Sequence, residues 1–214
     1  MQETFEFAAD PPPPLPPRLP AVNPGNLRDE LAAFAAFGTA TIIESAEHEG
    51  VTVPVYVNEF WTSKQRAAHN LHEVSYRACF KPQLPRFFIE QLTKPGELVL
   101  DPFMGRGTTV VESILLNRRA AGNDINPLSP MLVAPRVDPP KLAEIERRLQ
   151  ELDLTFAGEV NEELLTFYHP DTLAELSALR AHLTGSEPDR IDQWIRMTAT
   201  NRLTGHSPGF FSVY

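Results

Sequence analysis

Hydrophobic and polar positions change period along the chain, and the changes mark its elements. Leu27–Phe37 carries apolar residues at helical spacing, with Asn26 or Asp29 placed to cap it. Val51–Val57 (VTVPVYV) alternates with period two, as a strand does, and Pro54 confines it to an edge or a bulge. Pro85–Thr93 (PRFFIEQLT) is amphipathic with a proline in its first turn, and Lys94-Pro95-Gly96 ends it. Glu97–Asp101 (ELVLD) reads as a short apolar strand that enters a glycine-containing loop, Pro102–Gly107. A helical stretch, Thr108–Asn117, and a second short strand, Ala120–Asp124, follow. Strand, loop, helix and strand make one βαβ unit, which predicts a parallel sheet with a right-handed crossover. Beyond Pro140 the pattern is helical: Lys141–Leu152, Asp171–Leu183 and Arg190–Leu203 follow one another with no strand between them.

The fold class expected is therefore α/β, in three parts. Residues 1–26 form a flexible leader, residues 27–136 the α/β core, and residues 137–214 a helical insertion, with the sheet continuing past the chain end. The leader's PPPPLPPRLP run, holding seven prolines between Pro11 and Pro20, predicts polyproline II and serves as a stiff spacer.

Composition narrows the class. Hydrophobic residues make 42% and charged residues 22% of the 214, the balance of a chain that buries a core rather than a disordered one. The single cysteine, Cys79, excludes an internal disulfide framework and a multi-cysteine zinc site, and a small buried hydrophobe is its expected role. It suits a reducing cytoplasm, the location expected here. Met1–Asp10 has no basic n-region, so no secretory signal is read. The longest uncharged apolar stretch, Leu31–Ile43, has 13 residues, short of the ~20 that cross a bilayer. The net charge of −9 hides two local fields. Residues 61–94 hold six basic and two acidic residues, whereas residues 141–192 hold five basic and twelve acidic ones.

Candidate chemistry concentrates at Asp101-Pro102-Phe103-Met104-Gly105-Arg106-Gly107-Thr108-Thr109, the carboxyl end of a strand in an α/β pattern. The two glycines let backbone approach a ligand, and the helix behind them offers unpaired N–H groups. Asp124, ending the next strand, is placed to accept two hydrogen bonds from vicinal ribose hydroxyls. A P-loop's Gly-Lys-Ser/Thr ending is absent, and Val110 stands where the dinucleotide fingerprint has its third glycine. The pattern thus favours an adenosine ligand without phosphate. His69-Asn70-Leu71-His72-Glu73 misplaces the glutamate of a zinc-protease helix, so surface or capping histidines are expected and no metal is.

DPFMGRGTT resembles motif I of the S-adenosylmethionine-dependent amino-methyltransferases that make N4-methylcytosine or N6-methyladenine in DNA. Tyr76–Thr93 (YRACFKPQLPRFFIEQLT) resembles their motif X, and Gly122-Asn123-Asp124-Ile125-Asn126-Pro127 their motif II. The three stand in the order X, I, II, over roughly residues 56–130. The resemblance implies a Rossmann-like methyltransferase core with S-adenosyl-L-methionine as cofactor. It implies that Asp101, Pro102, Phe103, Gly105, Gly107 and Thr108 line the methionine and sugar end, that Asp124 holds the ribose, and that Tyr76, Lys81 and Pro82 close over the methionine portion. DNA is the implied partner, and Lys64, Arg66 and Arg77, interleaved with Phe60, Trp61, Tyr76 and Phe80, are its candidate contacts. An amphipathic element covering the sheet edge fits the same stretch.

The family's catalytic motif IV, Asp/Asn/Ser-Pro-Pro-aromatic, has no full match. Asp10-Pro11-Pro12-Pro13 lacks the aromatic, Asp138-Pro139-Pro140-Lys141 has lysine in its place, and Ser207-Pro208-Gly209-Phe210 lacks the second proline. The resemblance then implies a cofactor-binding part, with motif IV beyond Tyr214 or in a second chain, and no catalytic residue assigned here. Two other readings stay open: an RNA guanine-N2 methyltransferase, and a cofactor-binding or interaction module without catalysis.

Overall fold

The computed structural model describes residues 4–7 (backbone), 27–61, 68–76, 79–185 and 187–203. The chain divides into two compact units, Met1–Ser129 and Pro130–Tyr214. The division falls inside a helix, where the sequence places it at 136.

The first unit is built on the βαβ element. Strand β4 (Leu98–Asp101) pairs in parallel with β5 (Arg119–Asn123), Leu98 opposite Arg119 and Asp101 opposite Gly122. Helix α3 (Thr108–Leu115) connects them. Val110, Val111, Ile114 and Leu115 of α3 are buried, as are Ala120 and Ala121 of β5, so the helix lies on the sheet through small and branched apolar side chains. The free edge of β5 takes β1 (Thr4–Phe7), antiparallel, with Thr4 opposite Asn123 and Phe7 opposite Ala120. Sheet order is β1-β5-β4. A strand thus stands inside the expected leader: Thr-Phe-Glu-Phe alternates, and β5 supplies a ladder for it.

Around this sheet lie α1 (Leu27–Ala33), the antiparallel ribbon β2 (Ile42–His48) and β3 (Val51–Val57), and α2 (Gln83–Leu92). In a two-stranded ribbon both strands are edges, which is where Pro54, opposite Ser45, is tolerated. Helix α2 packs on α3 and buries Pro85, Phe87, Ile89 and Gln91. Phe87 meets Phe34 edge-on, with centroids 5.7 Å apart, and Phe60 at 5.6 Å, while Trp61 lies tilted against Phe87 and edge-on to Phe88. Of the aromatics expected on a nucleic-acid face, Phe60 and Trp61 therefore belong to this apolar cluster. Arg118, just before β5, donates to the hydroxyl and carbonyl oxygens of Thr93 and ties the end of α2 to the sheet.

Helix α4 (Leu128–Val137) spans the division and has prolines at 130 and 135. The second unit holds α5 (Leu142–Glu151), a single-turn 3-10 segment (Glu162–Thr166), α6 (Pro170–Gly185) and α7 (Arg190–Arg202), with no strand among its described residues. Leu173, Ala178, Leu183, Ile195 and Met197 form its core, and Arg148 of α5 pairs with Asp189 and Asp192 at the start of α7.

Candidate functional site

The loop between β4 and α3 is held by its own backbone. Asp101 ends β4, and its Oδ1 accepts the Phe103 N–H at 3.1 Å, which bends the chain out of the strand. Met104 is buried, and its N–H donates to the Asn123 carbonyl at 2.9 Å, fastening the loop to β5. Gly105 and Gly107 have φ of 51° and 76°, the left-handed region where a side chain is strained. Gly107 is the N-cap of α3 and gives no side-chain cap, so no side chain at that position competes for the N–H groups of the first turn.

Asp124, directly after β5, joins the two turns. Its Oδ2 accepts the Gly105 N–H at 2.7 Å and its Oδ1 the Asn126 N–H at 2.8 Å. The Asn126 N–H is the chief cause that holds this carboxyl below the usual carboxylate range; partial burial opposes it and the Gly105 N–H adds to it. The Ser129 hydroxyl adds a further pull in the same direction, and the group is thus a fixed carboxylate that retains acceptor capacity beyond these bonds. Asn126 closes the arrangement, donating from Nδ2 to Tyr76 Oη at 3.2 Å and accepting the Leu128 N–H at 3.0 Å. The Tyr76 ring lies over Gly105: a β-carbon there would stand 3.4 Å from Tyr76 Cε1.

The structure thus brings together Tyr76, Asp101, Gly105, Gly107 and Asp124 around one loop. Phe103, 87% exposed, is a surface ring rather than a core one, and Ile125 beside Asp124 is 90% exposed. Thr108 is buried, and its hydroxyl accepts from Arg106 Nε at 3.1 Å. Pro102 is exposed, its carbonyl 3.5 Å from Asn123 Nδ2. Lys81 and Pro82 stand at the start of α2, the lysine exposed and the proline buried; among the described residues no hydrogen bond links the lysine ammonium to the loop. Lys64, Arg66 and Arg77 lie outside the described residues. Cys79 is exposed, not the buried hydrophobe expected; it lies just before α2, outside any helix or strand, with its thiol 3.4 Å from the Tyr76 carbonyl. His69 caps the short turn Asn70–His72, whereas His72 is buried, its Nε2 2.7 Å from Glu112 Oε1. Among the described residues, no group of three His, Cys, Asp or Glu side chains could hold a metal ion, and no helix is long and apolar enough to cross a membrane.

The donor set selects a ligand chemistry. Arg106, the cation within the loop, is engaged with Thr108 and with the carbonyls of Val74 (2.9 Å) and His72 (3.4 Å). Among the described residues, the ionic groups left to the loop are the carboxylates Asp101 and Asp124, flanked by exposed Phe103 and Ile125. Carboxylates accept from hydroxyls and attract a cation but repel phosphate, and the apolar surfaces suit an aromatic base. A nucleoside bearing positive charge, as S-adenosylmethionine does, is compatible with these residues. Ile125, Asn126 and Arg106 carried no assignment in the sequence. For Asn126 the available signal was its place before Pro127, where an Asx turn opens a helix.

Residues 44–128 match the family model described as DNA methylase. Over 144 residues the chain is 31% identical to the type II methyltransferase M.MvaI of Kocuria varians, covering 66% of this chain and 29% of that protein. It is 27% identical over 142 residues to M.BsoBI of Geobacillus stearothermophilus, 55% of this chain and 27% of that one. It is 26% identical over 89 residues to M.MjaII of Methanocaldococcus jannaschii, 42% and 16% respectively. The chain spans less than a third of the length of these relatives. No solved structure matches it significantly.

Proposed function

We propose, from the match of residues 44–128 to the DNA methylase family model, that the chain is the S-adenosylmethionine-binding part of a DNA methyltransferase acting on an exocyclic amine, cytosine N4 or adenine N6. The observation that carries the proposal is the fixed Asp124 carboxylate, bonded to the N–H of Gly105 across the carboxyl ends of two parallel strands. The core is then Rossmann-like, and ligands in such folds bind at that end of the sheet.

In this reading Asp124 accepts from the ribose hydroxyls, Ile125 packs on the adenine, and Gly105 and Gly107 let backbone come close to the sugar and methionine. Asp101 and Phe103 bound the same end, Pro102 and Thr108 shape the loop, and Tyr76 roofs it, with Lys81 and Pro82 on the motif X side. The cofactor supplies a methyl group already activated on a sulfonium. The protein's share is alignment and exclusion of water, because a short in-line approach to an oriented amine accounts for much of the barrier. The amine itself has a lone pair delocalised into its ring, and a flipped-out base needs acceptors and a stacking ring. Those belong to a motif IV in a longer polypeptide or a second chain. Two features of the sheet support this: Leu98 and Leu100 on β4 are 51% and 61% exposed, and β4 has no partner on its outer side among the described residues. Parallel sheets are ordinarily covered on both faces. DNA contact falls to Lys64, Arg66 and Arg77, in a cytoplasmic enzyme of a restriction-modification system.

Calorimetry with S-adenosylhomocysteine tests the reading. The wild-type chain binds, and Asp124→Ala weakens binding by about 1–3 kcal/mol, the size of a lost hydrogen bond to a charged group. Equal affinities overturn the ribose assignment. Binding without methyl transfer, even when a motif IV polypeptide is added, would favour the non-catalytic module.

A further inference from the structure

Arg106 lies between the two glycines of the loop, the position from which a side chain would be expected to meet the ligand. Its guanidinium instead reaches back to a different part of the chain. Nε donates to Thr108 Oγ1 at 3.1 Å, and Nη1 donates to the Val74 carbonyl at 2.9 Å and the His72 carbonyl at 3.4 Å. Residues 73–76 have no helix or strand of their own, so ties of this kind decide where they lie. The same segment is anchored at its start, where the buried His72 ring meets the buried Glu112 of α3 at 2.7 Å. At its end Tyr76 covers Gly105 and accepts from Asn126. Two of the three anchors, Arg106 and Glu112, come from the loop and helix that build the ligand site, and the third is the aromatic ring above that site.

We infer that Arg106 is a positioning residue: it staples the 72–76 segment to the glycine loop and so sets the Tyr76 ring as the roof of the crevice. The inference rests on the methyl-donor reading for what the crevice holds, but the staple itself is a property of the chain. It needs a planar fork. Nε and Nη1 diverge toward a hydroxyl on one side and backbone carbonyls on the other, and a single ammonium cannot span both. Motif X and motif I are then mechanically one unit, and the loop residue that joins them never touches the ligand.

The test uses the 214-residue chain carrying 3-fluorotyrosine, with the Tyr76 resonance identified by its disappearance in Tyr76→Phe. In the absence of ligand, Arg106→Ala moves and broadens the Tyr76 resonance while that of Tyr168 stays in place. Arg106→Lys does the same to a smaller extent and serves should the alanine variant not fold. With S-adenosylhomocysteine, Arg106→Ala weakens binding about tenfold in the native background and by less than about twofold in a Tyr76→Ala background, the non-additivity expected when one residue acts through the other. An unmoved Tyr76 resonance, or the same loss in both backgrounds, overturns the inference. If the wild-type chain binds no S-adenosylhomocysteine while the resonance still responds to residue 106, the methyl-donor reading falls and the staple stands.

Discussion

Gly122 of β5 lies outside the left-handed region, so its missing side chain answers to space rather than to backbone conformation. A β-carbon there would collide with Met104 Sδ and stand 3.0 Å from Val110 Cγ2. Met104 is the buried plug of the glycine loop, so a methyl at 122 displaces the loop from the sheet. Gly122→Ala should therefore cost about 1–3 kcal/mol of stability, as overpacking does, and weaken S-adenosylhomocysteine binding as well. A thermal melt unchanged from wild type would show that Met104 yields without effort. This residue also marks how far the sequence could be read at the site. The glycines and the acids at the ends of both strands were legible, because close backbone approach and strand-end carboxylates are constraints on residue type. The direction of a long side chain is not. Nothing in GRGTT says that the arginine turns to carbonyls more than thirty positions earlier, or that Asn126 reaches Tyr76, fifty positions away.

Between elements, the same physics sets which helices a reader can find. Helix α4 went unassigned because Pro130 and Pro135 interrupt its apolar spacing, although a proline in the first turn costs no hydrogen bond. Strand β2, Ile-Ile-Glu-Ser-Ala-Glu-His, is exposed throughout and so lacks the apolar face that gives a strand its period. The three helices of the second unit, by contrast, lie within a few residues of where their spacing puts them. Their ends carry testable chemistry. Asp189 caps α7, accepting the N–H groups of Ile191 and Asp192, both at 2.9 Å, while its Oδ2 meets Arg148 of α5 at 2.7 Å. Arg148 is the chief cause that lowers the Asp189 pKa, so the stability it contributes is present at neutral pH and fades as pH falls below the ordinary carboxylate range. Asp189→Ala should cost about 1 kcal/mol, the value of a lost cap, and Asp189→Asn should cost less, since its side-chain oxygen still caps. Equal melting points for the two variants would argue against a capping role. In α2, Glu90 runs the other way. Burial raises its pKa, against the pull of Arg86 and Arg118. The folded chain therefore loses stability as pH climbs from the ordinary glutamate range through the raised value. Glu90→Gln should melt with wild type near about pH 4 and above it at neutral pH. A melting point lowered at neutral pH would mean that the ion pair with Arg86 outweighs the burial.

For the whole molecule, the consequence that matters is the state of the outer edge of β4. The first unit has a three-stranded sheet, of which β1 closes one side while β4 ends the other without a described partner. Leu98 and Leu100 alternate with the half-buried Val99 and Asp101, so one face of this strand is apolar and open. An unpaired edge beside exposed leucines is a template for pairing with another chain. The net charge of −9 opposes this only weakly, because the acidic excess is concentrated at 141–192, in the other unit. The 214-residue chain should therefore self-associate as its concentration rises. Leu98→Lys, at the end of β4 away from Asp101, should hold it monomeric in sedimentation velocity, since an edge lysine blocks strand pairing. The substitution should leave S-adenosylhomocysteine affinity unchanged, because the ligand groups lie at the opposite end of the strand. The two measurements separate the causes. Association that persists in Leu98→Lys would place the sticky surface elsewhere, with the valine-rich ribbon β2–β3 next to be tested. Affinity lost together with association would mean that the site is completed by a second copy rather than built within one chain.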